Sequence, residues 1–292
     1  MKKILLITLI LTLGIALYSE AIIMRSSDMS QINLQKLNEE LLQYDVIFFG
    51  EYHDNPILHA MEHDILPGLM QDERSLILSF EMWERDTQSV LDSFLKDEIS
   101  EEVFIKESRA WPNYQDYRPL ILFAKEHGLN VIAANVPRHY AARTAREGWD
   151  FVMDLPEKER SYIAKTLTAP DDEYKQEFLS TMNNMDAHMV DRQSMDRFYM
   201  AQTIKDDTMA ESIVNALKDS PTSRLIHFNG DFHSRSFLGT VSRLQAAMPK
   251  IKIAVLTPLV MNKEIAELKP EEAQQLGTYI IVLPVDDTED SQ

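Results

Sequence analysis

Short apolar runs recur along this chain, separated by stretches in which apolar positions return every three or four residues. Asp45–Phe49, Ser75–Phe80, Asn130–Ala134, Arg224–Phe228, Ile251–Leu256 and Tyr279–Leu283 are such runs, and their length and content predict buried strands. Between most of them the pattern is helical. Leu34, Leu37 and Leu41 place a short amphipathic helix ahead of the first strand, Ile57–Met70 follows that strand, Thr87–Leu95 follows the second, and Leu120–His127 leads into the third. Strands alternating with helices predict an α/β fold, with a mostly parallel central sheet flanked by helices.

The interval from about 156 to 218 breaks this rhythm. It carries no strand pattern, and Asp172–Met189 and Asp191–Leu217 read as two long helices. They are rich in methionine, with Met182, Met185, Met189, Met195, Met200 and Met209. Unbranched thioethers pack a helical core, and they also make an adaptable wall for a large flat ligand. The expectation is one α/β domain over residues 22–292, with this interval inserted as a helical lobe able to close over one rim of the sheet.

The first residues add a destination. Met1-Lys2-Lys3, the apolar run Ile4–Leu17 and small residues up to Ala21 have the layout of a signal peptide over residues 1–21. The run is shorter than the roughly 20 residues that span a bilayer, so cleavage and release to the periplasm or outside are expected ahead of a retained inner-membrane anchor. The formal charge of −18 repels phosphate backbones and argues against nucleic acid as a partner. With no cysteine, the chain has no disulfide, no thiolate metal site, no cysteine nucleophile and no lipid anchor through cysteine. A small-molecule ligand is the expected partner, and a homodimer is compatible with the composition.

The chemistry is concentrated in a phrase that occurs twice, Gly50-Glu51-Tyr52-His53 and Gly230-Asp231-Phe232-His233, each directly after a predicted strand. A glycine that lets the backbone turn, then an acid, an aromatic and a histidine, puts polar groups at the carboxyl rim of a parallel sheet, where ligands bind. The second predicted strand adds Glu81 just beyond its end, and the third adds Asn135 and Arg138. His227 and Asn229 belong to the fourth. Unpaired buried carboxylates are costly, so this convergence points to function.

Two chemistries fit. His53, Glu81, Asp231 and His233 offer nitrogen and oxygen donors for a divalent ion such as zinc, manganese or iron, with Glu51 as general base toward a bound water. Without a metal, His53 serves as general base, Glu51 or Glu81 orients it, and Arg138 stabilises developing negative charge. A bland alternative is a hydrogen-bonded network around Arg138 that only pins loops. There is no Gly-x-Ser-x-Gly elbow and no phosphate-binding glycine loop, which argues against serine hydrolases and nucleotide enzymes. His59 and His63, four apart on one helix, are expected to be packing or solvated residues.

Several ordered blocks carry a family resemblance. They are Gly50–Asn55, Glu81-Met82-Trp83-Glu84-Arg85 with Gln88, Trp111 with Tyr117, Ala134-Asn135-Val136-Pro137-Arg138, Ala201-Gln202 with Asp207, Met209 and Ala210, and Gly230–His233. Over roughly residues 40–260 the chain resembles the ChaN-like haem-binding, iron-regulated proteins of bacterial envelopes. These form part of a superfamily that includes the Tiki proteases and the erythromycin esterases. Asp231 stands where the second block of the family commonly carries Glu or Asn, and the missing cysteine departs from the family's lipoproteins. The resemblance implies an exported protein of iron or haem acquisition or storage, with haem as cofactor. It would put a tyrosine of the lobe on haem iron, and His188, which lies among the lobe's methionines, is a further possible ligand. Tyr162, Tyr174, Tyr199 and His188 are the candidates, and sequence does not choose among them. The wider superfamily implies the alternative, a metal-dependent hydrolase of peptides or esters built on the glycine-acid-x-histidine blocks.

Overall fold

The computed structural model describes residues 21–184, 191–262, 265 and 267–285. The signal-peptide expectation for residues 1–21 and the candidate His188 therefore fall outside the described residues, except for Ala21.

Eight strands form one sheet: β1 (Ile22–Arg25), β2 (Ser30–Ile32), β3 (Val46–Glu51), β4 (Leu76–Glu84), β5 (Asn130–Asn135), β6 (Arg224–Gly230), β7 (Ile253–Val260) and β8 (Tyr279–Leu283). Their spatial order is β2-β1-β8-β7-β3-β6-β4-β5. The six strands read from the sequence pair in parallel, and β1 and β2 add an antiparallel edge. That edge escaped the pattern reading because its strands are only 4 and 3 residues long, too short to show alternation.

The central strands β3, β4 and β6 are buried at every position, as strands covered on both faces must be. Their side chains alternate between two cores. Ile47, Phe49, Phe80 and Phe228 pack with one set of helices: α1 (Leu34–Leu41), α2 (Pro56–Leu69), α3 (Gln88–Leu95), α4 (Glu101–Glu107) and α5 (Tyr114–Glu126). Val46, Phe48, Ile77 and Val255 meet the other set, supplied by helices α9 (Arg192–Asp219) and α10 (Gly239–Ala247). Three further helices are α6 (Arg138–Glu147), the short α7 (Glu157–Arg160) and α8 (Glu173–Asn184). This is the expected mixed, mostly parallel sheet flanked by helices.

Local chemistry sets the helix starts that matter for the site. The Asn55 side chain accepts from the amides of Ile57 and Leu58, and Pro56 follows at the first helical position, so only four residues separate β3 from α2. Asp191 caps α9 in the same way. α5 begins at Tyr114, earlier than the periodicity after Pro119 indicates, because the helix accommodates that proline and forgoes one backbone bond.

The edge strand β5 is protected by a side chain. The Gln88 amide donates to the Val131 carbonyl (2.8 Å) and accepts from the Ala133 amide (2.7 Å), standing in for a neighbouring strand. Among the described residues no helix is long and apolar enough to cross a membrane.

Candidate functional site

β3 and β6 are parallel neighbours, with Gly50 opposite Asn229 and Glu51 opposite Gly230, so the two glycine blocks lie side by side. Their glycines do not serve a left-handed turn, since neither has a positive φ. They make room instead. A Cβ on Gly50 would stand 2.9 Å from Asp231 Oδ1, and one on Gly230 would stand 2.8 Å from His53 Nε2. Each block's glycine admits a side chain of the other block, which is why the phrase is needed twice.

Glu81 lies inside β4 rather than beyond it. A register shift against β5 between Phe80 and Glu84 carries this strand past the last residue it pairs with β6. Its buried carboxylate accepts from the Gly230 amide (2.8 Å) through Oε2 and faces His233 Nε2 at 3.2 Å through Oε1. The other ring nitrogen of His233 meets Asp206 Oδ1 at 2.7 Å, and Asp206 also accepts from Thr240 (2.9 Å) and Tyr174 (2.8 Å). Both nitrogens of His233 thus face carboxylates. Burial disfavours its charged form, yet the charges of Glu81 and Asp206 win and hold its pKa at about 9. Burial likewise opposes ionisation of Glu81, and the adjacent His233 cation outweighs it, lowering that carboxyl far below its ordinary range.

His53 is the ring that opens outward, with its side chain 41 % exposed. Its Nδ1 is 2.7 Å from Glu51 Oε1, which also accepts from the Tyr117 hydroxyl (2.8 Å), and its ring meets Trp111 edge-on. Desolvation lowers its pKa, but the hydrogen bond to Glu51 and the charge of Glu81 raise it overall. With Nδ1 held by Glu51, Nε2 is left for a ligand.

A cavity of about 510 Å³ lies over this rim, bounded by His53, Glu81, Asn135 and Arg138 on the strand side. Its far wall comes from α6, α8 and α9: Ala141, Ala145, Phe178, Met182 and Phe198, with Lys205 near Glu81. Residues of α8 and α9, both within the 156–218 interval, thus line the cavity over the rim. Met195 and Met209 are core residues, and Met182 belongs to the cavity wall.

The other candidates are distributed differently. Asp231 is buried and ion-paired to Arg235 at 3.1 Å, and burial pushes its carboxyl up to about 7 despite that cation. The Arg138 guanidinium is occupied by Glu84 (2.5 Å), which Arg109 also holds (2.6 Å). Tyr174 is tied to Asp206 and Tyr199 to Asp172 (3.3 Å), within an apolar cluster that includes Phe178 and Met195. Burial pushes both phenols well up. Tyr162 lines a separate cleft of about 720 Å³ along β5. That cleft is larger than the cavity over the rim, but it holds none of the acid–imidazole groups. His227 is fully buried between Ser79 (2.9 Å) and Phe48, and burial lowers it to about 3, which makes it a packing residue.

The sequence reading does not single out Asp206 or Glu62, and it names Asp207 and Gln202 only as parts of the resemblance, without a role. Asp206 and Asp207 interrupt the buried face of α9, Glu62 interrupts that of α2, and Gln202 reaches toward Tyr174 and His233. Acids on an otherwise apolar helical stripe were the available signal. His59, expected to be packing or solvated, is buried and hydrogen-bonded to Glu62 three residues on (3.1 Å), whereas His63 is turned outward beside Asp64.

Comparison with known proteins places this geometry. Residues 37–244 match the family model described as haem-binding uptake, Tiki superfamily, ChaN. A solved structure titled as cofacial heme binding to ChaN of Campylobacter jejuni superposes with a TM-score of 0.68 at 16% identity, covering 90% of this chain and 96% of that one. At that identity the likeness is one of fold. Protein RETICULATA-RELATED 5, chloroplastic, of Arabidopsis thaliana is 26% identical over 233 residues, 73% of this chain. The chain spans 31% of the length of that curated relative. With a family match that runs from α1 through the second glycine block into α10, the chain belongs to the haem-binding uptake (ChaN) family of the Tiki superfamily.

Proposed function

We propose that this is an exported haem-binding protein of iron or haem handling, and that the cavity over the strand ends is where haem sits. The observation that carries the proposal is the composition of that cavity. It joins an apolar wall (Val136, Ala141, Ala145, Phe178, Met182, Phe198) to a histidine with an available Nε2, to the Lys205 cation and to Arg138 paired with Glu84. A flat apolar macrocycle with two carboxylates is complementary to that lining, and the volume lies within the usual range for small-molecule sites. Haem, when bound, supplies the iron. His53 would ligate it through Nε2, Glu51 and Tyr117 would fix the ring, and Lys205 would attract a propionate. His53 is preferred over Tyr174 and Tyr199 because their hydroxyls are already committed to the carboxylates of Asp206 and Asp172. Export rests on the basic start and the apolar run Ile4–Leu17.

The test is an absorbance titration of the mature protein with haem. Saturable uptake with a defined Soret band is expected, weakened at least tenfold in His53→Ala and unchanged in Tyr162→Phe. Equal uptake by His53→Ala would remove His53 as the ligand, and no saturable uptake by the wild type would remove the function.

One observation favours a second reading. The Glu51–His53 pair is arranged as a general base at a cavity mouth, with the Glu81–His233–Asp206 chain beside it. On that reading the same cavity admits a peptide or ester and His53 activates the attacking water, with a divalent ion among the strand-end acids and imidazoles. Turnover of ester or peptide substrates by haem-free protein, abolished in His53→Ala, would establish it.

A further inference from the structure

Beneath His53, three side chains converge on one buried point. Glu51 and Glu62 are wholly shielded from solvent and His59 nearly so. His59 Nδ1 lies 3.3 Å from Glu51 Oε2 and 3.1 Å from Glu62 Oε2, and one donor atom from each of the three residues falls within 4.8 Å of the others. Among the described residues this is the one such group of three or more histidine and acid side chains.

The surrounding bonds leave that point poorly supplied with hydrogens. His59 Nε2 donates to the His53 backbone carbonyl (3.1 Å), with Asp116 Oδ2 further off at 4.0 Å, so a single Nδ1 faces both acids. Glu51 Oε1 is satisfied by the Tyr117 hydroxyl and the His53 ring, but Glu51 Oε2 and Glu62 Oε1 are buried with no hydrogen-bond partner. Buried polar atoms are rarely left so. An imidazole that gives one N–H to a backbone carbonyl and turns its other nitrogen to carboxylates has the arrangement of a metal ligand with its supporting shell. The separations agree: a first-row ion bound at about 2.0–2.2 Å holds neighbouring ligand atoms about 2.8–3.6 Å apart, from octahedral to tetrahedral angles.

We propose that Glu51, His59 and Glu62 form a buried site for one divalent first-row transition ion, manganese, iron or zinc, distinct from the haem cavity above it. One nitrogen and two carboxylates suit those ions, and two acid charges match a dication. Glu51 then works on two levels: Oε2 binds the ion while Oε1 holds His53 and Tyr117. The ion fixes the residue that aims His53 into the cavity. None of the three ligands lines the haem cavity, so uptake of the ion is measured in haem-free protein.

The competing occupant of the point is a proton shared among the three groups, and metal analysis separates the two. Protein stripped with a chelator is titrated with Mn²⁺ and Zn²⁺, and bound ion is counted by elemental analysis in wild type, Glu62→Gln and Asp231→Asn. The proposal expects one equivalent in wild type, affinity lowered a hundredfold or more in Glu62→Gln, and affinity within threefold of wild type in Asp231→Asn. Should Glu62→Gln not fold, an anomalous difference map from metal-soaked wild-type crystals decides, with a peak expected between Glu51, His59 and Glu62. No uptake by stripped wild type, undiminished binding by Glu62→Gln, or a peak at Glu81 and His233 would overturn the proposal.

Discussion

Two buried clusters of the same composition, two carboxylates around one imidazole, lie under the cavity, and they are built to opposite ends. In the Asp206–His233–Glu81 cluster each ring nitrogen has its own carboxylate, and the remaining acceptor positions are filled by Thr240, Tyr174 and the Gly230 amide. One cation between two anions, with every bond made, gives a locked strut tying β4 and the segment after β6 to α8 and α9. In the Glu51–His59–Glu62 cluster one ring nitrogen is spent on a backbone carbonyl, and the other must serve two acids. Two carboxylate oxygens are left without partners. The difference shows that the hydrogen-bond inventory, more than the residue list, separates a satisfied ion chain from a cluster with acceptor positions to spare.

The largest expected effect concerns the strut. Glu81→Gln removes one charge from a buried, fully bonded chain, which typically costs about 3–5 kcal/mol, read from urea unfolding at pH 7. In chelated protein, Glu62→Gln relieves an acid–acid encounter and should stay within about 1 kcal/mol of wild type. Equal losses in the two variants would break the comparison.

Next in size is the pH dependence of the strut. The folded pKa of His233, about 9, lies above the ordinary histidine value of 6.5, so the stability it contributes is complete below pH 6.5 and is lost as pH rises through 9. A shift of that size corresponds to about 3 kcal/mol. Glu81 works in the other direction: its lowered pKa gives stability above pH 4.5 that is lost as pH falls. Unfolding midpoints should therefore fall between pH 6.5 and 9.5 in wild type, and this slope should flatten in His233→Asn. An unchanged slope would show that His233 is not the charged centre of the strut.

The smallest expected effect sharpens the role of the doubled glycine. A Cβ at position 230 would press on His53 Nε2 at 2.8 Å, and a half-exposed ring can swing aside. Gly230→Ala should then cost little stability, yet weaken haem about tenfold. Haem affinity at the wild-type level would mean that the ring does not need this position.

Much of this was legible in the chain. The six parallel strands are continuous apolar runs, because both faces of the sheet are covered, and such runs stand out in a sequence. The two blocks Gly50–His53 and Gly230–His233 stand out for the same reason, since each follows such a run. The partners were not legible. Tyr117 meets Glu51 across 66 residues and His233 meets Asp206 across 27, through helix packing that periodicity does not specify. The reason for the glycines was hidden as well: each accommodates a side chain from the opposite block, which only strand register reveals. Glu62 and Asp206 resemble ordinary helix acids until burial is known.

The central claim is that ligand occupies the cavity over the strand ends, and hydrogen–deuterium exchange with and without haem tests it most directly. The account predicts added protection in α6, in α8 and in the first half of α9, with the cleft lined by Gly128–Ala133 and Asn215–Ser220 unchanged. Protection confined to that cleft, with the cavity helices unaffected, would contradict it.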